Sequence, residues 1–530
     1  MPSVISLSAI SYTKPDGVRL FDRISLTFGT EKTGLVGRNG VGKTTLMRII
    51  AGSLAPTTGS RDAAGTTAIL EQDLAGMSWN RVVDAFHATN ALDRIDRLMA
   101  GDGTVADAAA ADWTLEDRIR TRLLSVGLPN LDPRTKVEHL SGGQRTRLAM
   151  AAALHENPSF VLLDEPTNNL DANGRAALID VLKSLRIGCV SVSHDRNILA
   201  HMDRIVHLSE RGATVYGGGW EFFAAERARE RAAAAHDLAD AEKRLHEIAR
   251  RNQEAEERKA RRDSRGKRSR ARNDQPKIAM NTRRDTAERS GAKTALLQDR
   301  LRHDAATALN EARTRIERDR RLTAKPAGTG LAAGRTVLHI DQITGGPAPD
   351  CVTLRDFSLT ITGPRRLAIT GPNGSGKSTL LKLAAGRLSP LSGTIRRTSG
   401  LAMLGQDIEI LDRRASLLGN LKRLNPELTE NAARALLAAF LFRGESVMQS
   451  AGSLSGGEIM RAGLACVLGA APAPELVILD EPTNHLDLEG IEAIEAALLG
   501  YDGALLVASH DDTFLNSIKI DETITMELNP

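Results

Sequence analysis

The residue types best suited to holding phosphate occur in this chain twice. GRNGVGKT, Gly37 to Thr44, and GPNGSGKS, Gly371 to Ser378, both fit G-x-x-x-x-G-K-S/T. Each follows an apolar run (GLV, LAIT) and opens a helical one (TLMRII, TLLKLA), which predicts a loop between strand and helix. In such a loop Gly37, Gly40 and Gly42, or Gly371, Gly374 and Gly376, let backbone N–H groups turn inward on phosphate oxygens, and the helix N-terminus adds its positive end. Lys43 or Lys377 reaches the outer phosphates and Thr44 or Ser378 ligates Mg²⁺, with Asn39, Thr45, Asn373 and Thr379 lining the same loops.

Hydrolysis needs carboxylates, and these recur too. VLLDEP and VILDEP put Asp164 and Asp480 at strand ends, where a carboxylate holds the metal through water. Glu165 and Glu481 follow at once and are the candidates to orient and polarise an attacking water. His194 in VSHD and His510 in ASHD each come 30 residues after the aspartate, suited to contacting the γ-phosphate or the water. A third repeat, LSGGQ and LSGGE, places Ser141, Gly142, Gly143 and Gln144, and again Ser455, Gly456, Gly457 and Glu458, at a helix start. Its hydroxyl and N–H groups form a second anion-binding surface.

These elements imply one domain written twice. Gly37 pairs with Gly371 and Gln72 with Gln406 at an offset of 334; Leu140 pairs with Leu454 at 314, and Asp164 with Asp480 at 316. About 20 extra residues therefore fall between Gln72 and Leu140 of the first copy, a small insertion at about 74–125. Short apolar strands alternating with helical stretches predict an α/β fold with a mostly parallel sheet in each copy, residues 1–225 and 326–530.

Residues 226–325 read differently. Leu238, Ala241, Leu245 and Ile248, then Leu297, Leu301, Ala305 and Ala308, are spaced by three and four, which predicts two amphipathic helices. Gly266 and Pro276 mark an antiparallel hairpin with its tip at about 264–280. The linker holds 29 Lys and Arg against 18 Asp and Glu, net +11 in a chain of net +4. Within RKARRDSRGKRSRAR, Arg258, Lys259, Arg261, Arg262, Arg265, Lys267, Arg268, Arg270 and Arg272 face one acid, which reads as a surface for nucleic-acid phosphates. No Phe, Trp or Tyr occurs in it, so folded RNA contacted through backbone and shape is favoured over base stacking. The three cysteines are far apart, without metal or disulfide spacing, and nowhere do about 18 apolar residues run together.

With these motifs the chain resembles the ATP-binding cassette ATPases, whose halves pack head to tail so that the Ser-Gly-Gly of one closes over the nucleotide of the other. The resemblance implies ATP and Mg²⁺ as ligands, with Ser141, Gly142 and Gly143 facing the nucleotide on Lys377 and Ser455, Gly456 and Gly457 the one on Lys43. It also matches Gln72 and Gln406 to the family's glutamine loop, which senses Mg²⁺ and water, and Tyr12 to an aromatic that stacks on adenine. The second copy has DQITGGPAPD there, with no aromatic.

DEPTNNLD and DEPTNHLD, two cassettes in one chain and a helical linker of about 100 residues resemble the ABC-F branch. That resemblance implies a cytoplasmic monomer with intramolecular cassette pairing and no membrane subunit. It implies a clamp on the 70S ribosome (rRNA and P-site tRNA), with the linker reaching the peptidyl-transferase region. The small insertion and the short stretch after His510 lean towards ribosome protection against 50S-targeting antibiotics of macrolide, lincosamide or streptogramin type. The alternatives are a housekeeping ABC-F translation factor and, for a short neutral linker, the ATPase subunit of an exporter.

Overall fold

A computed structural model describes residues 4–70, 79–168, 170–209, 211–270, 300, 302–310, 326–348, 351–405 and 408–527. The chain forms two compact units, one joining Met1–Phe223 to Arg321–Pro530 and the other comprising Ala224–Arg320.

The first cassette begins with β1 (Ile5–Thr13) and β2 (Arg19–Phe28), then β3 (Lys32–Gly37), α1 (Lys43–Ala51), β4 (Thr58–Ala63) and β5 (Thr67–Leu70). A helical layer follows: α2 (Thr89–Ala100), α3 (Val105–Ala109), α4 (Leu115–Ser125) and α5 (Gly142–His155). The chain then returns through β6 (Phe160–Asp164), α6 (Ala172–Ser184), β7 (Gly188–Val192), α7 (Arg196–Ala200), β8 (Arg204–Ser209) and β9 (Gly212–Gly217). The main sheet has the order β5-β6-β7-β3-β8-β9, parallel except for β9, and a smaller antiparallel sheet has the order β2-β1-β4.

Period-2 alternation explains why β6 is apolar throughout. Phe160 and Leu162 join the cluster around α1 and the small sheet, while Val161 and Leu163 join the cluster beneath the helical layer. All five β6 residues are buried, as in a parallel sheet covered on both faces.

The second cassette repeats the plan with β10 (Thr336–Gly345), β11 (Leu354–Thr362), β12 (Arg366–Thr370), β13 (Ser392–Arg397), β14 (Leu401–Leu404), β15 (Leu476–Asp480), β16 (Ala504–Ala508) and β17 (Glu522–Thr525). Its five-stranded sheet is ordered β14-β15-β16-β12-β17, with β11-β10-β13 as the small sheet, and its helices include α9 (Lys377–Ala385), α10 (Leu417–Leu424) and α11 (Glu430–Ala439). Leu476 and Ile478 again face one cluster, Val477 and Leu479 the other.

The extra residues of the first copy sit more narrowly than 74–125. Positions 115–125, moved by 314, coincide with the helix Glu430–Ala439 of the second copy, so α4 is common to both. The added length is α2 and α3, and α2 packs Leu92 and Ile95 into the same cluster as Leu115, Ile119 and Leu123 of α4. It thickens the helical layer and forms no separate core.

In the linker, α8 (Trp220–Arg270) runs for 51 residues, a length of about 76 Å at 1.5 Å per residue. The expected break at Gly266 is corrected: the helix passes through it, because a single glycine costs a helix only about 1 kcal/mol. Residues 264–270 are therefore helical, whereas the rest of the expected tip, with Pro276, and Leu297 and Leu301 of the expected second helix lie outside the described residues. Leu238, Ala241, Leu245 and Ile248 are half-buried as their spacing predicts; in the returning segment Leu309 is buried and Ala308 exposed, moving the seam by one position. Among the described residues no helix is long and apolar enough to cross a membrane.

Candidate active sites

In the first sheet β6, β7 and β3 are neighbours, and in the second β15, β16 and β12 are. Their carboxyl ends therefore lie side by side, which gathers Asp164, His194 and the Gly37 loop, and likewise Asp480, His510 and the Gly371 loop, at one rim. The loop glycines are forced by geometry. Gly42 and Gly376 cap α1 and the helix α9 (Lys377–Ala385) at φ 103° and 91°, a left-handed conformation that leaves no side chain on the first-turn N–H groups. Gly37 presses on the next strand: a Cβ there would sit 2.4 Å from the Leu208 carbonyl oxygen, and one at Gly371 2.3 Å from that of Met526.

Each loop lysine curls back over its own loop. Lys43 Nζ donates to the Gly37 carbonyl at 2.8 Å, and Lys377 Nζ to the Gly371 carbonyl at 2.8 Å and the Pro372 carbonyl at 2.9 Å. Burial holds both amines below the ordinary lysine value, opposed at Lys43 by Glu165, Asp487 and Asp164 and at Lys377 by Glu481, Asp171 and Asp480.

Glu165 and Glu481 are both left-handed, at φ 49° and 47°, and their N–H groups donate to the Val192 and Ala508 carbonyls at 2.9 Å. A non-glycine residue in that region costs about 1–2 kcal/mol, so its appearance in both halves marks a carboxylate aimed by the backbone. His194 Nε2 lies 3.3 Å from Glu165 Oε1 without hydrogen-bond geometry, and His510 Nε2 lies 3.6 Å from Glu481 Oε1. Burial pushes the Glu165 carboxyl up to about 8, with Asp164 adding and Lys43 opposing. Burial raises Glu481 to about 7, with Arg175 opposing. Burial, with the neighbouring lysine, drives His194 down to about 3 and His510 to about 4. The two histidines are thus neutral, and the two acids are strong proton acceptors once ionised.

The metal-bearing expectation has a structural counterpart. Asp480 Oδ1 is buried with no hydrogen-bond partner, while the Ser378 hydroxyl hydrogen-bonds the same carboxyl. Hard oxygen donors of this kind suit a magnesium-type cation. Thr44 and Asp164 occupy the matching positions in the first cassette and line one cavity there.

That cavity, of about 640 Å³, is shared by both halves. Asn39, Gly40, Gly42, Lys43, Thr44, Thr45, Asp164, Glu165 and His194 meet Ser455 and Gly456 across it. Ser455 begins α12 (Gly456–Leu468) in a capping box: Glu458 Oε2 accepts from its N–H at 2.9 Å and its hydroxyl at 2.7 Å. Ser141 caps α5 in the same way, with Gln144 Oε1 accepting from its N–H at 2.9 Å. Gly457 packs closely, its missing Cβ only 2.6 Å from the His485 carbonyl. Gln72 and Gln406 lie outside the described residues. Tyr12 packs with Phe21, ring centres 6.3 Å apart, and Lys14 and Leu20 nearby line the cavity.

Sequence reasoning missed the residues that join the halves. Asp487 N-caps α13 (Leu488–Gly500), accepting from the Gly490 N–H at 2.8 Å, and its other oxygen accepts from the Asn39 N–H at 2.9 Å. Asp171 does the same for α6 and for Asn373, at 2.9 and 3.4 Å. These are the last residues of DEPTNNLD and DEPTNHLD, so their recurrence 316 apart was the available signal. Asn197 and Thr513, also 316 apart, meet at 3.4 Å and mark the pseudo-twofold axis between the halves. An Arg196–Glu495 pair crosses the same interface, buried and bidentate at 2.7 and 3.0 Å. In the linker, Arg258 and Arg261 are exposed on α8, which also carries positions 259, 262, 265, 267, 268 and 270; Arg272 lies outside the described residues.

Comparison with known proteins agrees with this duplication. The ABC transporter family model matches twice, at residues 21–168 and 354–484. The tylosin resistance ATP-binding protein TlrC of Streptomyces fradiae is 32% identical over 550 residues, covering 96% of this chain and 95% of that protein. The probable ATP-binding protein YheS of Escherichia coli K12 is 30% identical over 531 residues, covering 95% of this chain and 76% of its own length. Among solved structures, the complex of archaeal ribosomal stalk protein aP1 with the ribosome recycling factor aABCE1 gives a TM-score of 0.60 at 18% identity, covering 98% of this chain and 87% of that one. RNase-L Inhibitor gives 0.59 at 18%, with the same coverage. These likenesses show the fold. The double family match and the near full-length kinship place the protein among the ABC ATPases, and the chain belongs to their tandem-cassette ABC-F family.

Proposed function

We propose that this ATPase hydrolyses ATP at two composite sites, one built on Lys43 and one on Lys377, and uses the closure of its cassettes to act on the ribosome. Glu165 and Glu481 polarise the attacking water, aimed by their left-handed backbone and made more basic by burial. His194 and His510, neutral beside them, orient the water or the γ-phosphate. The free first-turn N–H groups of α1 and α9 receive phosphate oxygens, and Lys43 and Lys377 exchange their loop carbonyls for phosphate. Thr44 with Asp164, and Ser378 with Asp480, would hold Mg²⁺, whose charge would offset that of the phosphates. Ser455 and Gly456 close the Lys43 site, and by the duplication Ser141, Gly142 and Gly143 close the other.

The observation that carries the ribosomal reading is charge segregation: net +11 over residues 226–325, including nine basic residues at 258–272, in a chain whose remainder is net −7. A relative named for tylosin resistance and a structural neighbour named as a ribosome recycling factor support it. On this reading the linker reaches the P-site tRNA and peptidyl-transferase region, and the protein shields the ribosome from 50S-targeting drugs. Sedimentation of the Glu165→Gln/Glu481→Gln protein with 70S ribosomes tests the first part: ATP-dependent co-pelleting supports it, and protein left in the supernatant at low and moderate salt defeats it. Expression in a drug-sensitive host tests the second, since an unchanged inhibitory concentration for every macrolide, lincosamide and streptogramin tried would leave the housekeeping role.

A further inference from the structure

Arg196 stands where three parts of the molecule meet. It is the first residue of α7 and lies two positions beyond His194, so it hangs from the end of β7 beside the Lys43 site. Asp195 between them caps α7 through the Asn197 N–H at 2.9 Å, which fixes the direction in which the Arg196 side chain leaves. Its guanidinium binds both oxygens of Glu495, at 2.7 and 3.0 Å. Glu495 lies on α13, the helix whose cap Asp487 receives the Asn39 N–H at the Lys43 site. The guanidinium also sits over the Trp220 ring, 5.3 Å from its centre. Trp220 is the first residue of α8 and packs on Phe223, ring centres 5.7 Å apart, in the buried cluster of the first cassette.

The duplication supplies the contrast. At the positions 316 away, Arg196 is replaced by Asp512 and Glu495 by Ile179, so this ion pair has no counterpart at the Lys377 site. A bidentate guanidinium held nine-tenths buried between a carboxylate and a ring face is specified in direction by both partners. Movement of α13 against α7 therefore moves or releases the cation that covers Trp220.

We propose that Arg196 is a positioning residue that ties closure of the Lys43 site to the root of the linker helix, through Glu495 on one side and Trp220 on the other. This rests on the reading of the Lys43 site as a nucleotide site that closes, and not on the ribosomal reading.

The test uses the full chain without ribosomes. Hydrogen exchange of the Glu165→Gln/Glu481→Gln protein is followed with and without ATP at residues 37–45 and at residues 220–228. ATP is expected to slow exchange at both, by about tenfold or more. Adding Trp220→Leu, which keeps apolar bulk but no ring face, is expected to abolish the slowing at 220–228 and spare it at 37–45; Trp220→Phe should restore it. Slowing at 37–45 with no change at 220–228 in the parent, or the same slowing at 220–228 with Trp220→Leu, overturns the proposal. No slowing at 37–45 removes the nucleotide reading and the relay together.

A kinetic arm isolates each site. With only the Lys43 site active (Glu481→Gln), Arg196→Met is expected to raise the KM for ATP about tenfold. With only the Lys377 site active (Glu165→Gln), the change should stay within about twofold. Equal changes at the two sites would show Arg196 to be merely a structural residue.

Discussion

The Lys43 and Lys377 sites share their chemistry and differ in how they are clamped. Both have a left-handed glutamate, a neutral histidine and a lysine bent over its loop. Across the interface the Lys43 site has the Asn39 N–H on Asp487 at 2.9 Å and an Arg38–Glu489 pair at 3.2 Å. The Lys377 site has the Asn373 N–H on Asp171 at the longer 3.4 Å, and Pro372 and Asn173 stand at the positions of Arg38 and Glu489. Arg175, which ties Asp195 at 3.2 Å and lowers the Glu481 carboxyl, corresponds to Ile491, an apolar residue in the Lys43 cavity. Duplication preserved the residues assigned to phosphate and water, while the flanking residues diverged. One chain therefore holds two sites of equal parts and unequal grip.

The largest expected effect breaks the chemistry in both. The Glu165→Gln/Glu481→Gln protein should lose about 10²–10⁴-fold in ATP turnover while still binding ATP, and undiminished phosphate release would remove both glutamates from their assigned role. The grip is probed next. Asp487→Ala should raise the KM of the Lys43 site by about tenfold, since it loses a helix cap worth about 1 kcal/mol together with the 2.9 Å contact to Asn39. Asp171→Ala should move the Lys377 site less. A larger change for Asp171→Ala would reverse the order of the two sites.

A pH experiment sharpens the difference between the two acids. The unfolded chain releases the Glu165 proton near 4.5, whereas the nucleotide-free fold holds it to about 8. Over that window the folded state binds more protons, so stability falls as pH rises. Glu165→Gln should accordingly raise the Tm at pH 8 by on the order of a few degrees, with the gain vanishing towards pH 4.5. For Glu481→Gln, the window ends at about 7 and the gain should be smaller. Thermal melts of the two single variants across pH would show a gain growing towards acid if the sign were wrong. The smallest effect belongs to Arg38→Ala. Its guanidinium is half exposed, so the pair with Glu489 contributes about 1 kcal/mol or less, and its loss should disappear in high salt.

Much of this molecule is legible in its sequence. The loop glycines, the Asp-Glu pairs and the histidines could be placed at the ends of neighbouring strands from their short spacing alone, and the parallel strands were readable because FVLLD and LVILD are apolar on both faces. Other features were not legible there. The Tyr12 ring packs with Phe21, a neighbour brought by strand pairing rather than spacing. Gly266 looked like a break because a glycine's cost is local, whereas helix continuation is cooperative over 51 residues.

What the sequence determined by itself was the local placement of the candidate groups in each half, since every group assigned to phosphate sits within a few residues of a strand end or a helix start. What only the tertiary structure decided was the joining of the halves: Asn39 to Asp487, Asn373 to Asp171, Asn197 to Thr513 and Arg196 to Glu495. Those partners stand hundreds of residues apart, and single polar or charged side chains carry no periodicity that would announce them. Their pairing is set by which surfaces the two cores leave facing one another.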